Sequence, residues 1–270
     1  MSNSNQVSNS ANITTAVLLA AGTGTRLQPL TLDAPKCLTE VGGIPILQRL
    51  VENLREQGFK RLVVVTGHFG DRIEDYLKLY AADLQIDYVF NPDYRTTNNS
   101  YSLWLARTQI RESFLLVESD LVFESAMLDN MLKPNKMAVS TMLPWMNGTT
   151  VELSSENHVI TFNKGEDICD YAHQYKTVNI YSISLESWGK IEEQLGQYVS
   201  EGKLNDYYEV VLAEMVANGS LTFDAVLFDA GRWYEIDTRT DLLAAENMVA
   251  KMDSGALIPL KSVGMIAEVA

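Results

Sequence analysis

The sequence predicts an α/β fold, a Rossmann-like mixed but mainly parallel sheet flanked by helices, with a smaller β-rich extension, and three observations carry that prediction. Short apolar runs alternate four times with helix-period segments before residue 125, the rhythm of parallel strands joined by right-handed crossovers. From about residue 137 to 183 the chain shows strand-like runs with no long helical pattern between them, which adds mixed or antiparallel strands to the sheet. Finally, 270 residues that are 46% hydrophobic and 21% charged suffice for one large core and exclude disordered, collagen-like or low-complexity chains.

In chain order, the polar leader MSNSNQVSNSAN places a disordered tail over residues 1–13. A single domain is expected over 14–251, followed by a C-terminal arm of unassigned role over 252–270. The run TTAVLLA at 14–20 reads as a buried parallel strand feeding a glycine-rich loop. Ile46, Leu47, Leu50, Val51 and Leu54 recur at helical spacing behind Pro45, with Gly58 closing, which predicts a helix carrying proline in its first turn. Strands are then expected at 61–66, 86–90 and 114–119, with helices over 71–80 and from about 100 to 108. The β-rich extension comprises runs at 137–143, 149–153, 159–163 and 177–183. Helices over 185–199 and 206–216, a strand at 222–228, a short strand at 233–236 and a helix over 238–251 complete the domain. No internal repeat and no Pro- or Ser-rich linker divides it.

Charge narrows the partners. Lys plus Arg total 21 against 35 Asp plus Glu, a net charge of −14, so a nucleic-acid surface, which needs basic residues to displace counterions, is not expected. Small anionic ligands remain compatible where a few cations are placed locally. Cys37 and Cys169 form neither a disulfide framework nor a paired metal-ligand spacing. With no basic leader before an apolar stretch and no apolar run approaching the ~20 residues that span a bilayer, the expectation is a cytoplasmic protein without membrane insertion. Sequons at Asn12, Asn98, Asn147 and Asn218 carry no weight in that setting, and oligomeric state is left open.

The chemistry concentrates in residues 18–36, LLAAGTGTRLQPLTLDAPK. Gly22 and Gly24 permit close backbone approach, and consecutive free N–H groups form a nest for phosphate oxygens. Arg26 and Lys36 add positive charge there. The string matches neither G-x-x-x-x-G-K-[ST] nor G-x-G-x-x-G, so it is neither a P-loop nor a dinucleotide motif. Two acids also stand out. Asp120 follows the apolar run FLLVES, at the carboxyl end of a strand, where α/β sheets place ligands. Asp237, in WYEIDTRTDLLAAE, ends a short strand before a helix, so it either binds a metal or caps that helix. Mg²⁺ takes one or two carboxylates plus substrate phosphates, which two distant strand-end Asp residues can supply. Glu235 either assists or, by strand alternation, faces away.

The string Leu19-Ala20-Ala21-Gly22, Gly24, Arg26-Leu27, Pro29 and Pro35-Lys36 resembles the nucleotidyltransferase superfamily that joins a nucleoside triphosphate to a phosphorylated acceptor. The resemblance implies a GT-A-like nucleotidyltransferase fold. It also implies that the backbone of Leu19, Ala20, Ala21, Gly22, Thr23 and Gly24 holds base and phosphates, and that Arg26 and Lys36 neutralise the triphosphate. Asp120 and Asp237, with Glu235, would hold a catalytic Mg²⁺. Lys164, in FNKGED, is the matching lysine from the second half of the chain, or a hairpin lysine facing solvent.

Within that superfamily, Asn91-Pro92, Tyr94, Thr97-Asn98-Asn99 and Ser102-Leu103 look like the cytidylyltransferases that activate phosphocholine or 2-aminoethylphosphonate. The polar turn Asn98, Asn99, Ser100 supplies amide and hydroxyl groups able to read a pyrimidine edge, or caps the helix that follows. The expected activity is therefore Mg²⁺-dependent transfer from CTP to a small phosphorylated or phosphonate acceptor with pyrophosphate release. The alternatives are a sugar-1-phosphate uridylyl- or thymidylyltransferase and a non-catalytic nucleotide-binding regulatory domain. For the acceptor, Trp145, Tyr181 and Trp233 are candidates to enclose a quaternary ammonium, and Glu166, Asp167 or Asp170 to pair with a primary amine. His68 is expected near the nucleotide; His158 and His173 are scattered, and no Ser/His/Asp or Cys/His constellation is present.

Overall fold

The computed structural model describes residues 12–143, 146–163 and 174–254. Its sheet grows outward from β1 (Thr15–Ala20), which is buried at every position. Ala16, Leu18 and Ala20 belong to one apolar layer while Val17 and Leu19 belong to the opposite one. Burial of both faces is why TAVLLA shows no polar alternation. Ile13 also belongs to this core and its amide donates to the Leu132 carbonyl at 2.9 Å, so the last residue of the expected tail is packed.

Beyond the glycine loop, β2 (Glu40–Val41) and β3 (Ile44–Pro45) form a two-stranded ribbon. It precedes α1 (Ile46–Glu56). Pro45 is therefore the last strand residue and the N-cap, not a first-turn residue, because its extended ψ of 143° pairs it with Glu40. β4 (Arg61–Thr66), α2 (Gly70–Tyr80), β5 (Gln85–Phe90), α3 (Asn99–Ala106) and β6 (Phe114–Glu118) continue the alternation. β4 and β6 flank β1 and β5 flanks β4, all in parallel. β7 (Leu121–Phe123) turns away to a separate ribbon.

The extension comprises β8 (Lys136–Thr141), β9 (Thr150–Leu153), β10 (Val159–Asn163) and β11 (Gln174–Ile183). β11 runs antiparallel to β6, β8 and β9 and so fuses the extension to the parallel sheet. α4 (Leu185–Ser200), α5 (Tyr208–Ala217), β12 (Asp224–Phe228), β13 (Trp233–Glu235) and α6 (Arg239–Asp253) follow. The main sheet has nine strands among the described residues, ordered β10-β9-β11-β6-β1-β4-β5 with β8 beside β11 and β12 beside β8. β13 pairs with β7 instead.

Helices cover both faces. α1 and α2 pack Leu47, Leu50, Leu54, Ile73 and Leu77 on one face, and α3, α4 and α5 pack Leu103, Ile191, Val211 and Leu212 on the other. Trp188 of α4 meets Phe114 edge-on at 5.3 Å between ring centroids, an anchor whose truncation to Ala costs about 3–5 kcal/mol. α6 closes a third, smaller core around Leu27, Val122 and Ile236. That core holds the glycine loop and the β7–β13 ribbon together. Among the described residues, no helix is long and apolar enough to cross a membrane.

Candidate active site

A cleft of about 320 Å³ opens over the carboxyl ends of β1 and β6, lined by residues that include Leu19, Ala20, Ala21, Gly22, Gly24, Arg26, Lys36, Glu118, Asp120, Glu235 and Asp237. Its floor begins where β1 gives way to the loop. Gly24 has φ +62°, and a Cβ there would lie 3.0 Å from the Cβ of Lys36 and 3.1 Å from Thr31. Both the left-handed backbone and the approach of Lys36 thus require glycine. Thr31 fixes the turn by donating its hydroxyl to the Gly24 carbonyl at 2.8 Å. At Gly22 a Cβ would meet nothing within 4 Å, so that backbone faces open cleft. A third glycine, unmarked in the sequence reading, is needed as well: a Cβ on Gly67 would sit 2.7 Å from the Ala21 carbonyl oxygen.

Lys36 stands at the centre. Its Nζ donates to Asp120 Oδ2 at 2.7 Å and to Asp237 Oδ1 at 2.8 Å, joining side chains that lie 84 and 201 residues away in sequence. Burial works to lower the lysine pKa, but the Asp120 and Asp237 charges and hydrogen bonds outweigh it and hold the value above the ordinary range. Arg26 reaches the same Asp237 oxygen at 2.7 Å from a side chain that is 68% exposed, so it forms the rim. Asp237 does not cap α6. Thr238 and Asp241 form a capping box there, which leaves the Asp237 carboxylate free to face Lys36. The Ile236 amide donates to the Asp120 carbonyl at 3.0 Å, stitching the two acidic strand ends together.

Glu118, two residues before Asp120, was not anticipated. Glu118, Asp120 and Glu235 offer carboxylate oxygens within 4.8 Å of one another, and Asp120 Oδ1 is buried without a hydrogen-bond partner. An all-oxygen set with an orphaned buried oxygen fits a hard divalent cation such as Mg²⁺. Glu235 thus faces the cleft, not the opposite side. Burial, then repulsion from Asp120, Glu209 and Glu235, pushes the Glu118 carboxyl well above its usual range despite the Tyr208 hydroxyl, which donates to it at 2.8 Å. Glu235 is raised by burial too, partly offset by Lys176 and reinforced by Asp120. Lys176 of β11 lies 3.5 Å from Glu235. A register break between Thr177 and Tyr181, with Asn179 at φ 60°, turns Asn179 toward Glu235 at 3.4 Å. Cys37 lines the cleft, but burial pushes its thiol up to about 12, which makes it a poor nucleophile.

The polar turn serves two purposes. The Asn98 side chain caps α3 by accepting from the Asn99 amide at 2.8 Å. Asn99 donates to Glu118 at 3.2 Å and accepts from the Tyr208 amide at 3.0 Å. Both asparagines line the cleft. Ser100 is not among the lining residues; its hydroxyl donates to the Asp206 carbonyl at 2.5 Å and ties α3 to the segment that leads into α5. Thr97 and Ser102, with Asn91, supply the cleft's further polar groups. Thr23 is likewise not among the lining residues.

The acceptor residues fare differently. Tyr181 is fully buried in the helix-covered layer, edge-on to Tyr208 at 5.7 Å, so it is a core residue and encloses no ligand. Trp233 is 3% exposed and lines a cavity of about 230 Å³ together with Arg26 and Lys176. Trp145, Lys164, Glu166, Asp167, Asp170 and His173 lie outside the described residues. The His68 ring lines a separate depression with Phe69 and Tyr94, although its amide donates to the Ala21 carbonyl at 3.1 Å.

Comparison with known proteins finds relatives in sequence and in fold. The chain is 30% identical over 241 residues to the CMP-5'-(3-aminopropyl)phosphonate synthase of Streptomyces rubellomurinus, covering 86% of this chain and 38% of that protein. It is 32% identical over 125 residues to the choline-phosphate cytidylyltransferase of Streptococcus pneumoniae, covering 46% of this chain and 52% of the relative. The chain thus spans about half or less of these relatives' own lengths. Two solved structures share the fold: the CTP:phosphocholine cytidylyltransferase from Streptococcus pneumoniae, with TM-score 0.76 and 21% identity over 88% of this chain and 99% of that one, and the inositol-1-phosphate CTP transferase from T. maritima, with TM-score 0.74 and 22% identity over 90% and 98%. The model of the MobA-like NTP transferase domain matches residues 16–152, which span the glycine loop, Lys36 and Asp120, and the chain belongs to that family.

Proposed function

We propose that the protein is a Mg²⁺-dependent cytidylyltransferase that joins CTP to a small phosphorylated or phosphonate acceptor and releases pyrophosphate. The observation that carries this reading is the Lys36 ammonium held by Asp120 and Asp237 beneath the glycine loop. A backbone suited to phosphate, a buried ammonium and an oxygen-rich cluster suited to a cation meet there at the carboxyl end of the sheet. The cytidylyltransferase relatives favour CTP among the nucleotides.

In the reaction, an anionic acceptor oxygen attacks the α-phosphorus of CTP in line. The new P–O bond forms as the bond from the α-phosphorus to the bridging oxygen breaks, and pyrophosphate leaves with that electron pair. The attacking oxygen is already ionised, so no general base is required. The loop backbone from Leu19 to Gly24 orients the nucleotide, while Lys36 and Arg26 neutralise the charge that builds on phosphate oxygens. Asp120 and Glu235, gathered with Glu118, would hold Mg²⁺ beside Asp237, which is paired to Lys36 and Arg26, and the ion when bound would supply further neutralisation of those oxygens.

Pyrophosphate release, measured with Mg²⁺ for CTP, UTP, dTTP and ATP against phosphocholine, 2-aminoethylphosphonate and glucose 1-phosphate, tests the reading. Release with CTP and a small alkyl acceptor is expected. Turnover confined to UTP or dTTP with the sugar phosphate would overturn it.

A further inference from the structure

We infer that the acceptor carries a primary ammonium group and that Glu209 is the specificity residue that receives it. This rests on the cytidylyltransferase reading of the cleft and narrows it. Glu209 lies in the first turn of α5, where a carboxylate ordinarily faces solvent or the helix's own amides. Here the residue is only 9% exposed and its Oε2 is buried without any hydrogen-bond partner. A buried carboxylate oxygen left unpaired is unfavourable unless a donor arrives with the ligand.

Its position indicates which ligand. Glu209 lines both the nucleotide cleft and an adjoining cavity of about 650 Å³, so it sits where an acceptor beside the α-phosphate extends away from the nucleotide. It is not one of the three carboxylates gathered within 4.8 Å as a metal site. The charge of Lys176 is felt at Glu209, but its ammonium donates to the Thr177 carbonyl at 2.8 Å and lies 3.5 Å from Glu235, and Glu209 Oε2 still has no hydrogen-bond donor. The wall contributed by α5 and the residues leading into it is acidic, with Asp206, Glu209 and Glu214 and no lysine or arginine among its lining residues. The cations of the cavity, Arg26 and Lys176, come from the glycine loop and β11 instead. A zwitterionic acceptor matches that division: its phosphorus group lies toward the cations and its ammonium toward α5.

The hydrogen-bond requirement separates the two kinds of ammonium. A primary ammonium brings three N–H donors to Glu209 Oε2, whereas a quaternary one brings none and depends on an aromatic enclosure. Among the described residues the aromatics lining the cavity are Phe162 and Tyr207, and Tyr207, 56% exposed, is a poor wall for such an enclosure.

The test uses three acceptors of equal chain length with CTP and Mg²⁺: 2-aminoethylphosphonate, its N,N,N-trimethyl analogue and 2-hydroxyethylphosphonate. The protein should prefer the primary amine in kcat/KM by about 100-fold or more over either analogue, since a site built around a ligand N–H rejects partners that lack it. Glu209→Gln should raise the KM for 2-aminoethylphosphonate by about 100-fold, leave the KM for CTP near its starting value, and collapse the preference over the hydroxyl analogue. A purely structural role would not move that ratio. Where Glu209→Gln melts early, Glu209→Asp keeps the charge but retracts it, and should weaken the same preference. Equal or better turnover of the trimethyl or hydroxyl compound by the parent protein overturns the inference while leaving cytidylyl transfer standing. Absence of release with every acceptor overturns both.

Discussion

Replacement of Lys36 by Met probes the centre of the cleft with little change in packing, since Met retains most of the lysine stem. The ammonium sits 2.7 Å from Asp120 and 2.8 Å from Asp237 in a side chain only 15% exposed. Removing one partner of a buried pair costs about 3–5 kcal/mol, because the remaining charges stay buried. Arg26 still reaches Asp237, but from an exposed position that contributes at most about 1 kcal/mol. The net loss should lie near the lower bound, about 3 kcal/mol, which lowers Tm by roughly 6–12 °C for a domain of this size. Turnover should fall by about 10²–10³, the usual effect of deleting one stabiliser of developing charge. Melting curves and initial-rate pyrophosphate release, the latter recorded well below the variant's Tm, measure the two losses separately. Added Mg²⁺ should restore part of the lost Tm by giving the carboxylates another counter-charge. A variant that melts with the parent and keeps its turnover within tenfold would refute the assignment of Lys36.

Two further outcomes are expected. Gly67→Ala would place a Cβ 2.7 Å from the Ala21 carbonyl oxygen and 2.8 Å from the Tyr94 Cβ, so the loop must shift; stability should fall by about 1–3 kcal/mol, and the KM for nucleotide should rise more than kcat falls, whereas unchanged nucleotide binding would contradict the packing argument. The pH dependence follows from Glu118, Glu209 and Glu235, each raised first by burial. A carboxyl raised above its unfolded value contributes stability that is fully present below the unfolded value and lost as pH rises through the folded one. The Tm of metal-free protein should therefore decline as pH climbs out of the ordinary carboxylate range, with Mg²⁺ flattening the decline; a metal-free melt independent of pH in that interval would exclude the mutual repulsion.

Periodicity made most of the scaffold legible because β1, β4 and β6 are buried on both faces and spaced by amphipathic helices. The β2–β3 ribbon and β7 escaped, being two- and three-residue strands too short to show alternation. In the site, the glycine loop was readable because its residues are contiguous. The expectation that Asp120 and Asp237 share one site rested on resemblance, since strand-end position alone leaves capping and metal binding equally open, and the Lys36 bridge between them was not anticipated. Glu118 carried a usable signal, an acid two residues before Asp120 closing an apolar strand. Lys176, Asn179 and Glu209 carried none. Their approach to the cleft depends on antiparallel pairing of β11 with β6 and on Tyr208 donating to Glu118, contacts spanning 90 residues in the latter case. The misreading of Tyr181 has the same origin: an aromatic in a strand is a wall or a core residue according to what covers that strand, and α5 covers this one.

The charge balance of the cleft bears on how an acidic protein accepts a polyanion. Glu118, Asp120, Glu209, Glu235 and Asp237 face Arg26, Lys36 and Lys176, so with every group ionised the acids outnumber the cations. Lys36 is no free phosphate-binding charge in that state, since both of its hydrogen bonds on the cleft floor go to carboxylates. A triphosphate arriving alone would have to compete with Asp120 and Asp237 for the ammonium while adding negative charge to a floor that already repels it. The exchange becomes favourable once the carboxylates gain another counter-charge, for Lys36 can then turn to a phosphate oxygen without leaving Asp120 buried and unpaired. On the proposed function, nucleotide and divalent cation would thereby be coupled through one lysine, and by linkage each would tighten the other's binding by the same factor. The orphaned Asp120 Oδ1 and the raised Glu118 and Glu235 would then be the free-state cost of that coupling, a polar strain that bound ligands would relieve.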